Sequence, residues 1–347
     1  MDGLNPHTVG NLSDTAALLH GPGKRIAIIM HVNPDGDALG SSLGLYALLN
    51  KAGHHCQVLS PSTYPVFLDW MPGIGRVIIV DNTPQEAIEA LRRAEIIFAL
   101  DFNEIGRAKN LDKAFISSAA HKVLMDHHPV PDLPVDCLIS DPSASSTAEL
   151  VYRFIRDTGL MSWIDKEIAS CLFTGIMTDT GCFSYNSSNR KTWETVAELI
   201  DLGIDKDRLY ALTYDNFSAH RMRLLGFSLS KKMEIFPEYR TGIIWLSRTD
   251  LQKYNFEMGD TEGFVNYPLS VRGIRFSALF IEKEDHIRIS FRSKGDFAVN
   301  EFSKKYFNGG GHANASGGES YLGLAATLKL FRAILPEYKD KLTDYEV

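Results

Sequence analysis

Between residues 25 and 126, short apolar runs rich in β-forming residues alternate with helical patterns, and three of the runs stop at an acid or an imidazole. The runs cover Arg25–His31, Cys56–Ser60, Val77–Val80, Glu95–Asp101 and Lys122–Asp126, while helical spacing fills Leu39–Ala52, Pro84–Arg93 and Leu111–Ala120. Strand and helix alternating at this interval predict right-handed crossovers and a largely parallel sheet with helices on both faces. Ligands gather at the carboxyl ends of such strands, which makes the residue closing each run the place to look for chemistry.

After Ser140 the spacing turns helical, over Ser145–Thr158, Lys166–Thr178, Thr192–Leu202, Asp205–Tyr214 and Ala219–Lys231. Strands return from Met233, as Thr241–Leu246, Phe276–Glu282 and His286–Arg292, followed by helices near Ala298–Phe307 and Leu322–Ile334. The expected architecture is α/β: an N-terminal parallel-sheet domain over 1–217, a helical connector over 218–232 and a smaller α+β domain over 233–347. A chain of 347 residues, 44% of them hydrophobic, has the length and apolar content for two cores.

Residues 1–220 carry 17 Lys and Arg against 27 Asp and Glu, a balance of −10, while residues 221–347 carry 19 against 16, or +3. An acidic half suits cations and a mildly basic half suits an anion. The same balance opposes a protein that coats long duplex DNA, which needs a strongly basic face. The four cysteines (Cys56, Cys137, Cys171 and Cys182) form no CxxC pair and read as buried free thiols. No apolar run approaches the ~20 residues that span a bilayer. Met1–Gly21 lacks the basic region and apolar stretch of a secretory signal, so the expected location is cytoplasmic, with no membrane partner.

The first run ends in His31-Val32-Asn33-Pro34-Asp35-Gly36-Asp37-Ala38-Leu39-Gly40-Ser41. Asp35 and Asp37, two apart, can face one way in an extended loop, and Gly36 allows the turn between them. Hard carboxylate oxygens with one imidazole suit manganese or magnesium better than a thiolate-loving metal. Asp101 closes the fourth run, Asp126-His127-His128 closes the fifth, and Asp179 follows a helix in Gly175-Ile176-Met177-Thr178-Asp179-Thr180-Gly181. Taken singly, each has an ordinary explanation: an acid at a strand end caps the next helix, and paired histidines make a polar turn. A shared metal site accounts for all of them at once. Ser41 and Ser42 are placed to cap the following helix, and His54 and His55 read as an acid-poor surface turn.

The succession HVNPDGDALGS, ALD, MDHHP and GIMTDTG resembles the DHH phosphoesterase superfamily in motif, order and spacing. Ile289–Lys294, followed by Asn308-Gly309-Gly310-Gly311-His312 and on to Gly318, resembles that family's DHH-associated C-terminal domain. The likeness covers nearly the whole chain from about residue 15. In length and domain pairing it points to the branch of bifunctional oligoribonucleases and phosphoadenosine-phosphate phosphatases, the nano-RNases. The resemblance implies that His31, Asp35, Asp37, Asp101, His127 and Asp179 are metal ligands, with Asp101 bridging. It also implies that His128 contacts the scissile phosphate and that Asp126 stands behind the ligands, orienting an imidazole through its free nitrogen. Ala313 departs from the basic or bulky polar residue frequent in the family. Four carboxylates among six ligands are too much negative charge for one divalent ion, so two cations are expected, manganese first, with magnesium or cobalt as alternatives.

The activity so implied is hydrolysis of a phosphate ester by hydroxide generated between two metals. The second domain is expected to choose the substrate. Gly309, Gly310 and Gly311 let backbone amides approach an anion, with His312 and Arg292 as donors and Arg272 as a further phosphate contact. Arg275 reads as solvated, and Tyr306-Phe307 as helical core. A substrate gripped at one end by this loop while its ester lies over the metals must be short: an oligoribonucleotide, a dinucleotide or 3′-phosphoadenosine 5′-phosphate. A cyclic- or linear-dinucleotide phosphodiesterase is the alternative enzyme, and a catalytically silent nucleotide-binding module the alternative from another class. The sequence leaves the choice among these substrates, and a homodimer, open.

Overall fold

Alternate residues of the first apolar run reach opposite sides: Ile26, Ile28 and Met30 enter one core cluster, Ala27 and Ile29 another. That is the signature of a strand buried on both faces. The computed structural model describes residues 8–10 and 12–344; the first seven residues of the segment read as lacking a secretory pattern lie outside them. The chain divides into two units, Met1–Asn216 and Phe217–Val347.

The first unit is built on seven strands: β1 (Thr8–Gly10), β2 (Arg25–Ile29), β3 (His55–Ser60), β4 (Val77–Ile79), β5 (Ile96–Leu100), β6 (His121–Asp126) and β7 (Cys137–Ser140). Their order is β1-β7-β6-β5-β2-β3-β4, with β2 to β7 parallel and β1 antiparallel on β7. The expected parallel sheet is thus present, with β1 and β7 added to what the sequence suggested. Its helices are α1 (Leu12–Leu19), α2 (Gly36–Lys51), α3 (Pro84–Arg93), α4 (Asp112–Ser117), α5 (Thr147–Asp157), α6 (Lys166–Asp179), α7 (Arg190–Asp201) and α8 (Lys206–Tyr214). Buried residues of α2, α5 and α6 pack on one face of the sheet, and those of α3 and α4 on the other.

From β2 the chain moves outward through β3 and β4, and from β5 it moves the other way through β6 and β7. The reversal between β2 and β5 opens a crevice at their carboxyl ends, where open α/β sheets place their ligands. Helices α2 and α6 meet there at a seam of glycine: a Cβ on Gly40 would lie 2.5 Å from the Cys171 carbonyl oxygen, and one on Gly36 2.3 Å from Thr178 Oγ1. His54 is a correction to the sequence reading. It is buried, not a surface turn, because Nδ1 accepts the Lys24 amide at 3.1 Å and Nε2 bonds the Leu19 carbonyl at 3.0 Å.

The second unit begins with α9 (Ala219–Phe227), whose last turn widens into a π-helical segment over Ser228–Lys232. It continues with β8 (Met233–Phe236), β9 (Thr241–Leu246), α10 (Arg248–Lys253), β10 (Phe276–Glu282), β11 (Ile287–Ser293), α11 (Val299–Tyr306), β12 (Gly310–His312), β13 (Ala315–Ser320), α12 (Leu324–Ile334) and α13 (Lys339–Thr343). The sheet runs β12-β13-β11-β10-β9-β8, with only β9 and β10 parallel. Phe276, Phe291, Phe302, Phe307 and Phe331 fill one face, and Leu224, Ile244, Leu246 and Leu279 the other. Phe307 is therefore core, as expected.

Arg275 is buried, against expectation. Its guanidinium donates to the Lys341 carbonyl at 3.0 Å and to Asp296 Oδ1 at 2.6 Å, fastening the C-terminal helix. All four cysteines are free, with Cys137 and Cys171 buried. No helix among the described residues is long and apolar enough to cross a membrane.

Candidate metal centre

Three strand ends and one helix end supply the site. The loop after β2 carries His31, Asp35 and Asp37; β5 ends at Asp101; β6 ends at Asp126, followed by His127 and His128; α6 ends at Asp179. Asp35 has two tasks. Its Oδ1 caps α2 by accepting the amides of Asp37 at 3.0 Å and Ala38 at 3.1 Å, and the same oxygen lies 4.0 Å from His31 Nε2. The cap explanation and the cluster explanation are both true of it. Ser41, expected as a cap, instead bonds back to the Ala38 carbonyl inside the helix.

Asp101 is the centre of the arrangement. Its backbone takes φ 65°, a left-handed conformation that few residues other than glycine adopt, and the turn leaves its two carboxylate oxygens facing different neighbours. Oδ2 lies 3.4 Å from His31 Nε2, while Oδ1 lies 3.7 Å from His127 Nε2. His127 Nε2 is also 3.4 Å from Asp179 Oδ2 and 4.0 Å from Asp37 Oδ2. Among the groups of possible ligand atoms that result are His31 with Asp35 and Asp101, and Asp37 with His127 and Asp179. The six residues expected as ligands thus converge.

Both imidazoles in these groups present Nε2 to the carboxylates because Nδ1 is occupied: that of His31 by the Val32 carbonyl at 2.8 Å, that of His127 by the Ala144 carbonyl at 3.4 Å. Asp126 does not orient His127. Its Oδ1 accepts from His128 Nδ1 at 2.7 Å, since residues two apart on an extended chain share a side and neighbours do not. His128 is thereby fixed with Nε2 turned away from Asp126, and Asp126 Oδ2 is buried without a hydrogen bond.

The charge balance of this centre favours cations. Burial first, then the charges of Asp101, Asp179 and Asp35, push the Asp37 carboxyl well above its ordinary range, against the Ala148 amide. Burial, reinforced by Asp35 and Asp101 and opposed by His127 and His128, pushes Asp179 up to about 6. Burial would also raise Asp101, but the hydrogen bond from His31 and the charges of His128, His31 and His127 hold it below the ordinary carboxylate range. Burial lowers His127, yet Asp179, Asp101 and Asp126 together bring it above its usual value. Neighbouring carboxylates thus add to the rise that burial causes at Asp37 and Asp179, and they raise His127 against burial, which reports an excess of negative charge. Divalent cations that favour oxygen and imidazole would relieve it.

A polar scaffold that sequence reasoning missed braces these ligands. The start of α5 donates the amides of Thr147 and Ala148 to Asp37 at 2.6 and 2.8 Å, and the Thr147 hydroxyl donates to Asp101 Oδ1 at 2.9 Å. Gly175 must lack a side chain, because a Cβ there would lie 2.9 Å from Asp37 Oδ1. Behind Thr147, the buried Glu149 accepts from Ser145 N at 2.9 Å, Ser145 Oγ at 2.6 Å and Thr192 Oγ1 at 2.8 Å, and pairs with Arg153. Arg153 also pairs with Asp141 at 2.9 Å. The signal was present in Ser145-Ser146-Thr147-Ala148-Glu149, a helix-start pattern in which Ser146 does cap α5.

The glycine loop of the second unit forms the edge strand β12 and its approach. Gly309 and Gly311 are set by packing: a Cβ on Gly309 would lie 1.9 Å from Ser303 Oγ, and Gly311 takes φ 129° with the Ala315 carbonyl 2.8 Å from such a Cβ. Gly310 faces open space. His312 pairs with Ala315, which pairs in turn with Arg292 on β11, so the three share one face of the sheet. The Arg292 guanidinium donates to the Phe291 carbonyl at 2.9 Å. Arg272 is exposed in the loop before β10.

Two family models match separate stretches of the chain. Residues 25–176 match the DHH family N-terminal domain, and residues 244–337 match the DHHA1 domain. The Bacillus subtilis bifunctional oligoribonuclease and PAP phosphatase NrnA is 28% identical over 297 residues, covering 85% of this chain and 89% of its own. The Listeria monocytogenes cyclic-di-AMP phosphodiesterase PdeA is 25% identical over 84% of this chain and 44% of its own. Among solved structures, an exopolyphosphatase-related protein from Bacteroides fragilis is 40% identical with a TM-score of 0.91, covering 98% of this chain and 99% of that one.

Proposed function

We infer the activity from one premise, that the chain belongs to the DHH family and carries a DHHA1 domain in its second unit. It is a hydrolase of phosphoric ester bonds, acting on short oligoribonucleotides and on 3′-phosphoadenosine 5′-phosphate, as the name of its Bacillus subtilis relative describes for that protein. The observation that carries the mechanism is the two-sided Asp101 carboxylate, one oxygen towards His31 and the other towards His127.

His31, Asp35 and Asp101 would hold one divalent cation, and Asp37, Asp101, His127 and Asp179 a second, with manganese the first choice for this donor set. Such a pair, when bound, supplies Lewis acidity at a phosphoryl group and an acidified water. The chain's own groups do the rest. Asp126 holds His128 through Nδ1, which fixes the direction of Nε2; an Nε2–H there would donate to a phosphoryl oxygen and stabilise the charge that grows on it. The amides and hydroxyl at the start of α5 keep Asp37 and Asp101 aimed without further reorganisation. In the second unit, His312 and Arg292 share a face beside the open Gly310, a donor set suited to a phosphate.

The test is turnover, in manganese, of oligoribonucleotides of increasing length alongside 3′-phosphoadenosine 5′-phosphate, with a chelator control. Rates rising steeply towards two to five nucleotides, and abolished by chelator, are expected. Equal or faster turnover of long strands rejects the short-substrate reading. The likeness to PdeA motivates a second arm with cyclic di-AMP and its linear product; preference for these would move the assignment to a dinucleotide phosphodiesterase. Nucleotide binding without turnover would mark a silent binding module.

A further inference from the structure

The 3₁₀ segment Ile105–Leu111, which follows Asp101, places one arginine at the metal centre. The Arg107 carbonyl accepts the Val32 amide at 2.8 Å, its own amide reaches the Glu104 carbonyl at 3.0 Å, and its Nη1 donates towards His128 Nε2 at 3.4 Å. The segment is tied to the loop beyond His128 as well, through Asn103 Nδ2 to the Pro129 carbonyl at 2.9 Å and the Asp132 amide to the Asn103 carbonyl at 2.7 Å. Lys109, two residues on, takes φ 46° and ψ −121°, a conformation that persists only where surrounding contacts enforce it. Arg107 is therefore fixed from the β2, β5 and β6 loops together.

What Arg107 does not do is equally informative. Five aspartates, Asp35, Asp37, Asp101, Asp126 and Asp179, surround the centre, yet Arg107 forms no ion pair with any of them among the described residues. Where this unit uses arginine to offset buried carboxylates it does so directly, as Arg153 does with Asp141 and Glu149. A half-buried guanidinium, held against an imidazole nitrogen beside so many acids, is a cation kept for another anion.

Building on the activity assigned above, we propose that Arg107 is a further catalytic residue, a guanidinium of the catalytic unit that grips the phosphoryl group of the substrate. A phosphoryl oxygen is a stronger acceptor than an imidazole nitrogen, and the guanidinium fork matches two such oxygens. On substrate arrival the fork turns to phosphate and its contact with His128 Nε2 is released. The rest-state contact between Arg107 and His128 thus keeps the guanidinium aimed at the place where the phosphoryl group arrives.

The experiment uses the full-length protein as wild type, Arg107→Ala and Arg107→Lys. It measures kcat and KM on a diribonucleotide in manganese, Mn²⁺ affinity by electron paramagnetic resonance, and affinity of the manganese-loaded protein for inorganic phosphate by calorimetry. For Arg107→Ala, kcat/KM is expected to fall on the order of 10²–10³-fold, the loss usual for one charge-stabilising donor, mostly in kcat. Phosphate should bind about tenfold more weakly, Mn²⁺ affinity should stay within about twofold, and Arg107→Lys should recover part of the rate. An Arg107→Ala enzyme within about threefold of wild type overturns the proposal, as does loss of Mn²⁺ affinity in step with rate, which would make Arg107 a brace for the metal loop. If wild type turns over no phosphoester, the assigned activity fails and the phosphate titration alone decides: equal affinity in wild type and Arg107→Ala overturns the role of Arg107, and weaker affinity in the variant supports it.

Discussion

Replacing Glu149 with Gln should destabilise the first unit and loosen the metal centre together, although Glu149 is not among the expected ligands. The carboxylate is fully buried and accepts from Ser145 N, Ser145 Oγ and Thr192 Oγ1 at 2.9, 2.6 and 2.8 Å, while its other oxygen pairs with Arg153. Glutamine keeps the shape but offers only one acceptor. If its oxygen satisfies Ser145 and Thr192, its amide nitrogen confronts the Arg153 guanidinium, donor against donor.

Hydrogen bonds to a charged acceptor contribute ~1.5–3 kcal/mol and neutral ones ~0.5–1.5, so three donors lose about 3 kcal/mol in all. A contact ion pair at an effective dielectric constant of ~20 adds ~4 kcal/mol, but removing the buried charge also removes a desolvation cost of several kcal/mol. Arg153 keeps Asp141 at 2.9 Å, which limits the damage further. The net expectation is about 2–3 kcal/mol, or roughly 4–12 °C in Tm for a unit of this size. Because Ser145 leads into the Thr147 contacts with Asp37 and Asp101, Mn²⁺ affinity should fall about 10–100-fold in parallel. Urea unfolding in chelator and a Mn²⁺ titration measure both. A variant that loses less than about 1 kcal/mol and binds Mn²⁺ as wild type does would show that the network is not what holds the start of α5.

Two further outcomes are expected. Asp101→Ala should reduce turnover by on the order of 10³-fold or more while circular dichroism still reports a folded chain; an active Asp101→Ala protein refutes the shared-ligand role proposed for it. Asp179, raised to about 6 in the folded chain from an ordinary 3.8, favours folding below pH 4, where both states are protonated, and this advantage is lost as pH rises towards 6. A rise of that size corresponds to ~3 kcal/mol; with the side chain 28% exposed, about 1–2 kcal/mol is the expected effect. In chelator, Asp179→Asn should therefore match wild type near pH 4 and exceed it by that amount at pH 7, with the order reversed in manganese. A metal-free Asp179→Asn protein less stable than wild type at pH 7 contradicts the charge balance described above.

How much of this was legible beforehand depended on whether the physics that fixes a residue is local. The parallel strands were readable because burial on both faces demands continuous apolar runs such as Ile96–Leu100, and the acids and imidazoles that close them stood out by contrast. β7 escaped because Cys137–Ser140 is four residues long, and β13 because Ala315–Ser320 has no β-branched or aromatic residue and is held only by pairing to its neighbours in the sheet. His54 looked like surface because its two buried partners, the Lys24 amide and the Leu19 carbonyl, are backbone atoms some thirty residues away.

The same distinction governs the site. The convergence of His31, Asp35, Asp37, Asp101 and His127 followed from strand ends, since a parallel sheet brings all its carboxyl ends to one edge whatever the loops do, while Asp179, at the end of α6, had only its motif to mark it. The direction of Asp126 was also recoverable, because two-residue alternation places it with His128. The roles of Thr147, Glu149 and Arg107 were not. Ser145–Glu149 is indistinguishable from an exposed helix start until the fold buries it, and no spacing marks an arginine as unpaired, since that property is defined by carboxylates it fails to meet. The groups that a sequence hides best are thus those whose function is set by partners across the fold, and they are the ones whose substitution separates a true metal centre from a chance cluster of acids.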